Sequence, residues 1–221
     1  MEYGYLLCPL IGYFCGSVPF GYLVARRHGV NILEKGSGNI GATNVSRVLG
    51  KKPGLIVFVL DLLKGTTGVL LSVAVLGAVV RTGFNGELAG LLGGTGAILG
   101  HNFTCWLKFR GGKGIATTAG VLLGLTPITF LVLVSTWAII FKLSRYVSLA
   151  SIICAVLMPV VTWYVEGGSW LLFGATLLLG ILAIVRHRTN IQRLINGKEN
   201  RFGKTSGSGR PAPKSGTDQE S

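Results

Sequence analysis

Ile115-Ala-Thr-Thr-Ala-Gly-Val-Leu-Leu-Gly-Leu-Thr-Pro-Ile-Thr-Phe-Leu-Val-Leu-Val-Ser-Thr-Trp-Ala-Ile-Ile-Phe141 is a run of 27 residues without a charge. Whether it crosses a membrane once or twice decides the fold. It is one of six apolar runs, the others being 5–25, 55–80, 88–107, 147–165 and 170–185, and most approach the ~20 residues that span a hydrocarbon core. Between them the bases alternate. Arg26, Arg27, Lys35, Arg47, Lys51 and Lys52 follow the first run, Arg81 alone follows the second, and Lys108, Arg110 and Lys113 follow the third. Lys142 and Arg145 follow the fourth, none follow the fifth, and eight lie beyond the sixth. Nineteen of the 21 Lys and Arg thus fall in alternate gaps, but only if the 115–141 run counts as two passes. A single pass would put Lys142, Arg145 and the carboxy-terminal bases on the wrong face by the positive-inside rule. Thr126-Pro127 offers the break, because proline disfavours a helical residue before it and cannot donate within a helix. The run is too short for two full spans, so short tilted helices or a re-entrant hairpin are expected.

The fold class expected is therefore an all-α polytopic membrane protein of seven transmembrane helices, some short or broken. Its amino terminus (Met1) and Arg81 lie outside, and its carboxyl terminus lies in the cytoplasm. A hydrophobic fraction of 49%, only 13% charged residues and a mean hydropathy of +0.58 exclude an ordinary soluble domain. Residues 1–203 form one membrane-embedded domain. Residues 204–221, rich in Gly, Ser, Pro and Lys, read as a disordered polar tail. The first run lacks a basic segment before it and so does not read as a removable signal peptide. Thirty-four glycines are about twice the usual share. Gly90, Gly93, Gly94, Gly96 and Gly100 are expected to let helices approach closely.

Several chemistries fall away. Cys8, Cys15, Cys105 and Cys154 show no C-x-x-C spacing and read as small buried hydrophobes. The aspartates are Asp61 and Asp218 alone, which leaves no carboxylate cage for a divalent metal. Neither a metal nor another cofactor is expected. A net charge of +13 comes from bases flanking membrane spans without interleaved aromatics, so nucleic acid is not an expected partner.

Three clusters carry the chemistry. The first is Lys35-Gly-Ser-Gly-Asn39-Ile-Gly-Ala-Thr43-Asn44-Val-Ser-Arg47. It matches G-x-G-x-x-G formally, but a membrane helix and not a strand precedes it, so the dinucleotide reading fails. Its glycines allow backbone N–H groups to converge on an anion; Ser37, Asn39, Thr43 and Asn44 add donors, and Arg47 adds a bidentate fork. The second cluster is His101-Asn-Phe-Thr-Cys-Trp-Leu-Lys108-Phe-Arg110-Gly-Gly-Lys113-Gly114. Here a glycine turn enters a helix beside a full charge, another anion-binding arrangement. Anchoring at the headgroups suits Lys108 and Arg110 well but explains Gly-Gly-Lys-Gly poorly. The third is Arg186-His187-Arg188-Thr-Asn190-Ile-Gln-Arg193-Leu-Ile-Asn-Gly197-Lys-Glu199, in which His187 and Asn190 share a face of a continuing helix while the arginines suit a basic anchor. Asp61 and Lys64, one turn apart within the membrane, are a functional candidate or a mutually neutralising pair. Ser144, Arg145 and Ser148 mark a further cytoplasmic contribution.

With these residues in view, residues 1 to about 203 closely resemble the bacterial acyl-phosphate:glycerol-3-phosphate acyltransferases. The resemblance rests on Gly-Ser-Val-Pro-Phe-Gly at 16–21, Gly-Ser-Gly-Asn-Ile-Gly-Ala-Thr-Asn at 36–44, Phe-Arg-Gly-Gly-Lys-Gly at 109–114 and His187-x-x-Asn190-Ile-x-Arg193-Leu. It implies seven membrane helices in the bacterial cell membrane with the site on the cytoplasmic face. The implied reaction moves a fatty acyl group from acyl phosphate to the sn-1 hydroxyl of glycerol 3-phosphate, giving lysophosphatidic acid. It also implies a functional link to the phosphate acyltransferase that makes acyl phosphate. Both substrates are phosphorylated and one is apolar, which suits anion-binding loops at the mouth of a lipid-embedded bundle.

On this reading Ser37, Lys113, His187 and Asn190 form the catalytic set. Ser37, Asn39, Asn44, Arg47, Gly111, Gly112, Lys113, Gly114, Ser148 and Arg193 bind substrate phosphate. The H-x-x-x-x-D motif of other glycerophosphate acyltransferases is absent, since Leu33, Trp106 and Gln192 stand five residues after the three histidines. A substrate phosphate oxygen or His187 is then the proton acceptor. The alternative from another class is a membrane transporter for an organic phosphate. A metal-dependent phosphotransferase would need an Asp-rich motif that two aspartates cannot build.

Overall fold

The computed structural model describes residues 2–80 and 83–203. The expectations for Met1, Arg81 and the tail from Lys204 lie outside the described residues. Ten α-helices and two short 3-10 turns are the regular elements, with no strand among the described residues, so the all-α expectation holds. The helices are α1 (Leu7–Ser17), α2 (Phe20–Arg27), α3 (Ala42–Leu49), α4 (Lys51–Val79), α5 (Gly86–Asn102), α6 (Ile115–Leu125), α7 (Pro127–Ser144), α8 (Val147–Val165), α9 (Trp170–Arg186) and α10 (Arg188–Ile195).

The 115–141 run breaks where Pro127 demands it. Thr126 leaves the helical region (φ −139°, ψ 71°), and Pro127 opens α7. Helix α6 is about 16 Å long, roughly half a hydrocarbon core. A second break falls inside the first apolar run, at Val18-Pro19, where the sequence reading placed one continuous run. Proline again is the cause, and the carbonyls it frees find side chains. Thr104 Oγ1 donates to Ser17 O at 2.6 Å and Lys64 Nζ donates to Val18 O at 2.9 Å. By length and apolarity four segments suffice to cross a membrane: Gly4–Arg27, Lys51–Val79, Pro127–Ser144 and Val147–Val165. A fifth is added if α9 and α10, bent by 59° at His187, count as one. With apolar residues such as Leu10, Phe14, Leu70, Leu131 and Ile139 exposed on the helix exteriors, the chain is an integral membrane protein.

Close contacts fix the helix directions. A Cβ on Gly12 would lie 1.8 Å from Gly93 O, one on Gly16 1.9 Å from Ala97 O, and one on Gly100 2.2 Å from Tyr13 O, so α1 and α5 run side by side and parallel. Helix α4 is antiparallel to both, with Ser72 Oγ donating to Cys8 O near one end and Lys64 reaching Val18 near the other. Thr66 bonds Gly120 O and Gly65 abuts Thr117, which sets α6 parallel to α4. Thr129–Glu166 and Trp137–Ser151 bonds make α7 and α8 antiparallel. Gly180 against Ala155 and Trp163 against Phe173 do the same for α8 and α9. The carboxyl ends of α1, α5, α7 and α9 and the amino ends of α4, α6 and α8 therefore gather at one end of the bundle. The core beneath them is Val69, Ile98, Val121, Leu122, Leu133, Met158 and Leu179. Of the five glycines expected to allow close approach, four leave a Cβ 2.2–2.5 Å from a neighbour, and Gly90 leaves 3.1 Å. Of the cysteines only Cys8 is fully buried; Cys105, beyond the end of α5, is exposed.

Candidate functional site

Each of the three clusters folds around its own backbone before it reaches the common cavity. In the first, Asn44 is the organiser. It is 2% exposed; its Nδ2 donates to Lys35 O (3.1 Å) and Asn39 O (2.8 Å), and its Oδ1 accepts from Ser37 N (2.9 Å). Asn44 was expected to offer those donors to phosphate; they are engaged in shaping the loop. Gly36, at φ +60°, is required on two counts, since a Cβ would also lie 2.2 Å from Asn44 Oδ1. The loop leaves Ser37, Asn39 and, on α3 itself, Arg47 at the cavity wall.

The second loop departs from expectation in a similar way. Gly111 N donates to Asn102 O (3.2 Å) and Gly112 N to His101 O (3.0 Å), so neither N–H is free for phosphate. Those glycines act sterically: a Cβ on either would lie 2.0 Å from an atom of His101. Neither lines the cavity, whereas Lys113 and Gly114 do. Lys108 (φ 52°) and Phe109 (φ 60°) are left-handed non-glycine residues in the preceding turn. Trp106 and Phe109 stand 64% and 63% exposed, as aromatics at a membrane–water boundary do.

In the third cluster the helix does not continue straight, as the sequence reading supposed; it turns at His187. His187 and Asn190 are each 4% exposed and still line one wall. The His187 ring nitrogen Nδ1 lies 2.8 Å from Ala183 O. A carbonyl can only accept, so Nδ1 carries the hydrogen and the neutral ring keeps its lone pair on Nε2. Lys113 Nζ donates to Asn190 Oδ1. Asn190 Nδ2 then donates to Glu199 Oε1 (2.9 Å), which also accepts from Ser148 Oγ (3.0 Å), while Arg193 Nε donates to Glu199 Oε2 (2.8 Å). Glu199 went unassigned in the sequence, although a lone acid amid four arginines was a signal. Burial pushes its carboxyl up, but the hydrogen bonds from Arg193, Asn190 and Ser148 outweigh that and hold it below the usual carboxylate range. Burial, with Arg193, Arg47 and Arg186 adding repulsion and Glu199 opposing them, pushes Lys113 down to about 8.

Ser37, Asn39, Asn44, Arg47, Lys113, Gly114, Ser148, His187, Asn190 and Arg193 thus border one cavity of about 620 Å³. Ser144 and Arg145 do not reach it; the Ser144 hydroxyl accepts from Tyr146 N (3.2 Å). Below the polar mouth the wall becomes apolar, with Phe58, Leu122, Leu133, Trp137 and Met158. Along α7 it descends from Phe141 to Phe130, about 17 Å at 1.5 Å per residue. A second, polar cavity of about 200 Å³ adjoins it and shares Ser37, Asn39, Lys113 and Arg193, with Val185, Arg186, Arg188 and Thr189 completing its walls. Asp61 and Lys64 form a buried ion pair at 2.8 Å, with His101 Nδ1 3.6 Å from the same carboxylate oxygen. The neutralising reading of that pair fits, with Lys64 also capping the α1 break. Among the described residues no three His, Cys, Asp or Glu side chains stand where they could hold a metal.

A long apolar trough under a cationic rim, beside a small polar compartment, suits an amphiphilic phosphate and a water-soluble one meeting at shared residues. Comparison with known proteins identifies a glycerol-3-phosphate acyltransferase family. The family description Glycerol-3-phosphate acyltransferase matches residues 6–197. A glycerol-3-phosphate acyltransferase of Sinorhizobium medicae is 42% identical over 199 residues, 90% of this chain and 92% of that protein. The crystal structure of PlsY, an integral membrane glycerol 3-phosphate acyltransferase, in its glycerol 3-phosphate form superposes with a TM-score of 0.80 at 39% identity, covering 90% of this chain and 96% of that one. Its lysophosphatidic acid form gives 0.78 at 39% identity over 90% and 95%.

Proposed function

The chain belongs to the glycerol-3-phosphate acyltransferase family, an integral membrane enzyme of phospholipid synthesis, and on that premise we propose that its acyl donor is acyl phosphate and its acceptor the sn-1 hydroxyl of glycerol 3-phosphate. The observation that carries the reading is the pair of adjoining cavities. The acyl chain lies in the trough that descends past Trp137 to Phe130, with its phosphate at the rim among Arg47, Lys113 and Gly114. Glycerol 3-phosphate occupies the polar compartment walled by Ser37, Asn39, Arg188 and Arg193. The sn-1 oxygen attacks the acyl carbonyl carbon, the bond to the phosphate oxygen breaks, and lysophosphatidic acid and inorganic phosphate leave. Acyl phosphate is a mixed anhydride with a good leaving group, so no covalent enzyme intermediate is required; positioning and charge stabilisation supply the rate. Lys113 is aimed by Asn190 and neutralises the charge that builds on phosphate. The hydroxyl proton goes to a substrate phosphate oxygen or to Nε2 of His187.

Purified protein given radiolabelled glycerol 3-phosphate should form 1-acyl lysophosphatidic acid with acyl phosphate, and not with acyl-CoA or acyl-carrier protein. Product from acyl-CoA alone would overturn the donor assignment, and a 2-acyl product the regiochemistry. Uptake of glycerol 3-phosphate into proteoliposomes without product would restore the transporter alternative.

The membrane topology proposed is seven crossings by α1–α2, α4, α5, α6, α7, α8 and α9, with the site facing the bacterial cytoplasm. Support comes from the alternating helix directions and from the sixteen bases that, among the described residues, fall at the site end. Short α6 is tolerated because one face packs closely against α4. In a background without native cysteines, Glu87→Cys should react with an impermeant thiol reagent on intact cells, and Lys52→Cys and Ser144→Cys should not. Labelling of Ser144→Cys from outside would contradict the seven-pass arrangement.

A further inference from the structure

We infer that Arg186 is a positioning residue of the acyl-transfer site: its guanidinium clamps the Gly111–Lys113 loop to the end of α9, so that Lys113 and His187 keep a fixed relation. Sequence alone gives this arginine the part of a headgroup anchor. In the structure it is half-buried and turned inward. Its Nε donates to Gly112 O (3.1 Å), and its Nη2 donates to Gly112 O (2.7 Å) and Gly111 O (3.2 Å). The ring of Phe103 backs the guanidinium, 5.3 Å from its carbon.

The other face of the same two peptides is held by α5, through the bonds from Gly111 N and Gly112 N to Asn102 O and His101 O. Every polar backbone group of the two glycines is therefore engaged, half from α5 and half from α9. Lys113 follows this pinned pair directly and reaches Asn190, whereas Arg186 directly precedes His187. One side chain thus ties the segment carrying the phosphate-binding ammonium to the segment carrying His187 and Asn190. A planar fork can serve two adjacent carbonyls at once; a lysine ammonium in its place cannot reproduce that geometry.

The kinetic part of the test rests on the acyltransferase reading; the exchange part does not. In purified Arg186→Lys, compared at equal folded amounts, kcat should fall on the order of 100-fold, the cost of misplacing a catalytic group by about 1 Å. KM for both substrates should move only a few-fold. Amide hydrogen exchange across 111–114 should quicken while α1 and α4 exchange as in the wild type. Phe103→Leu, which removes only the ring behind the guanidinium, should give smaller changes of the same sign. Wild-type kcat and loop exchange in Arg186→Lys would overturn the assignment. So would a loss confined to KM, because Arg186 would then be a substrate ligand. Should Arg186→Lys not fold, Phe103→Leu decides alone: faster loop exchange with lower kcat supports the clamp, and wild-type values of both refute it. If wild-type protein turns over no acyl phosphate, the donor assignment fails while loop exchange in the variants still tests the clamp.

Discussion

Lys113→Met should lower kcat/KM on the order of 100- to 1,000-fold, the range found when a single preorganised donor to developing charge is removed. The same ammonium should govern the alkaline limb of the wild-type enzyme. Burial, then the nearby Arg193, holds Lys113 down to about 8, and Arg47 and Arg186 push the same way against Glu199. Below that pH the group is charged and, on the proposed mechanism, binds phosphate; above it the free enzyme loses the charge. kcat/KM should therefore fall about tenfold per pH unit above about 8, since it reports the free enzyme. The limb of kcat should lie higher, because a bound phosphate favours the charged form.

Stability should move in the opposite direction. The folded-state value lies below the ~10.4 of an unfolded lysine, so between about 8 and about 10.4 the unfolded chain binds more protons. Stability then rises with pH in the window where activity falls. Lys113→Arg should abolish the limb near 8 while keeping part of the activity, because an arginine stays charged throughout. An unchanged limb in that variant would mean that another group sets it.

How much of this was legible in advance differs between backbone and side chains. Pro127 could be read because proline acts on its neighbour through local sterics, whatever surrounds it. Pro19 carries the same message in the first run, and the break there follows the same rule. The small residues at 93–100 were legible because a stripe without side chains in a membrane helix has few other uses. The convergence of Ser37, Lys113 and His187 followed from placing their loops on one face. What could not be read is where each donor points. A loop dense in amides and glycines looks the same whether its N–H groups face a ligand or its own carbonyls. Asn44, Gly111 and Gly112 took the second course, for reasons that lie in residues far along the chain. The anchor reading of Arg186 and the missing role for Glu199 have the complementary reason. A basic run beside a membrane has a sufficient explanation in the headgroups, and only the fold shows one arginine turned inward onto Gly112 and one acid holding Asn190 and Arg193 together.

Gly16→Ala and Gly96→Ala should each destabilise the protein by about 3 kcal/mol, at the upper end of the range for overpacking. The added methyl would lie 1.9 Å from Ala97 O in the first and 2.2 Å from Pro9 O in the second. In both it meets backbone, which cannot swing aside as a side-chain tip can, so α1 and α5 must separate. Separation has a functional cost too, because Ser17 at the end of α1 receives Thr104 Oγ1 and Trp106 Nε1 from the turn that leads into the Gly111–Lys113 loop. Gly174→Ala is the control. It lies in α9 with open space around its Cβ position, so the same change should be neutral or stabilise by up to about 1 kcal/mol through helix propensity alone. Thermal unfolding in detergent should therefore move down for the first two variants and hold or move up for the third, with residual activity per folded molecule reduced only in the first two. A wild-type unfolding temperature in Gly16→Ala would mean that the α1–α5 contact yields more easily than two backbones in van der Waals contact can. The parallel pairing of those helices would then no longer explain why this chain carries so many glycines.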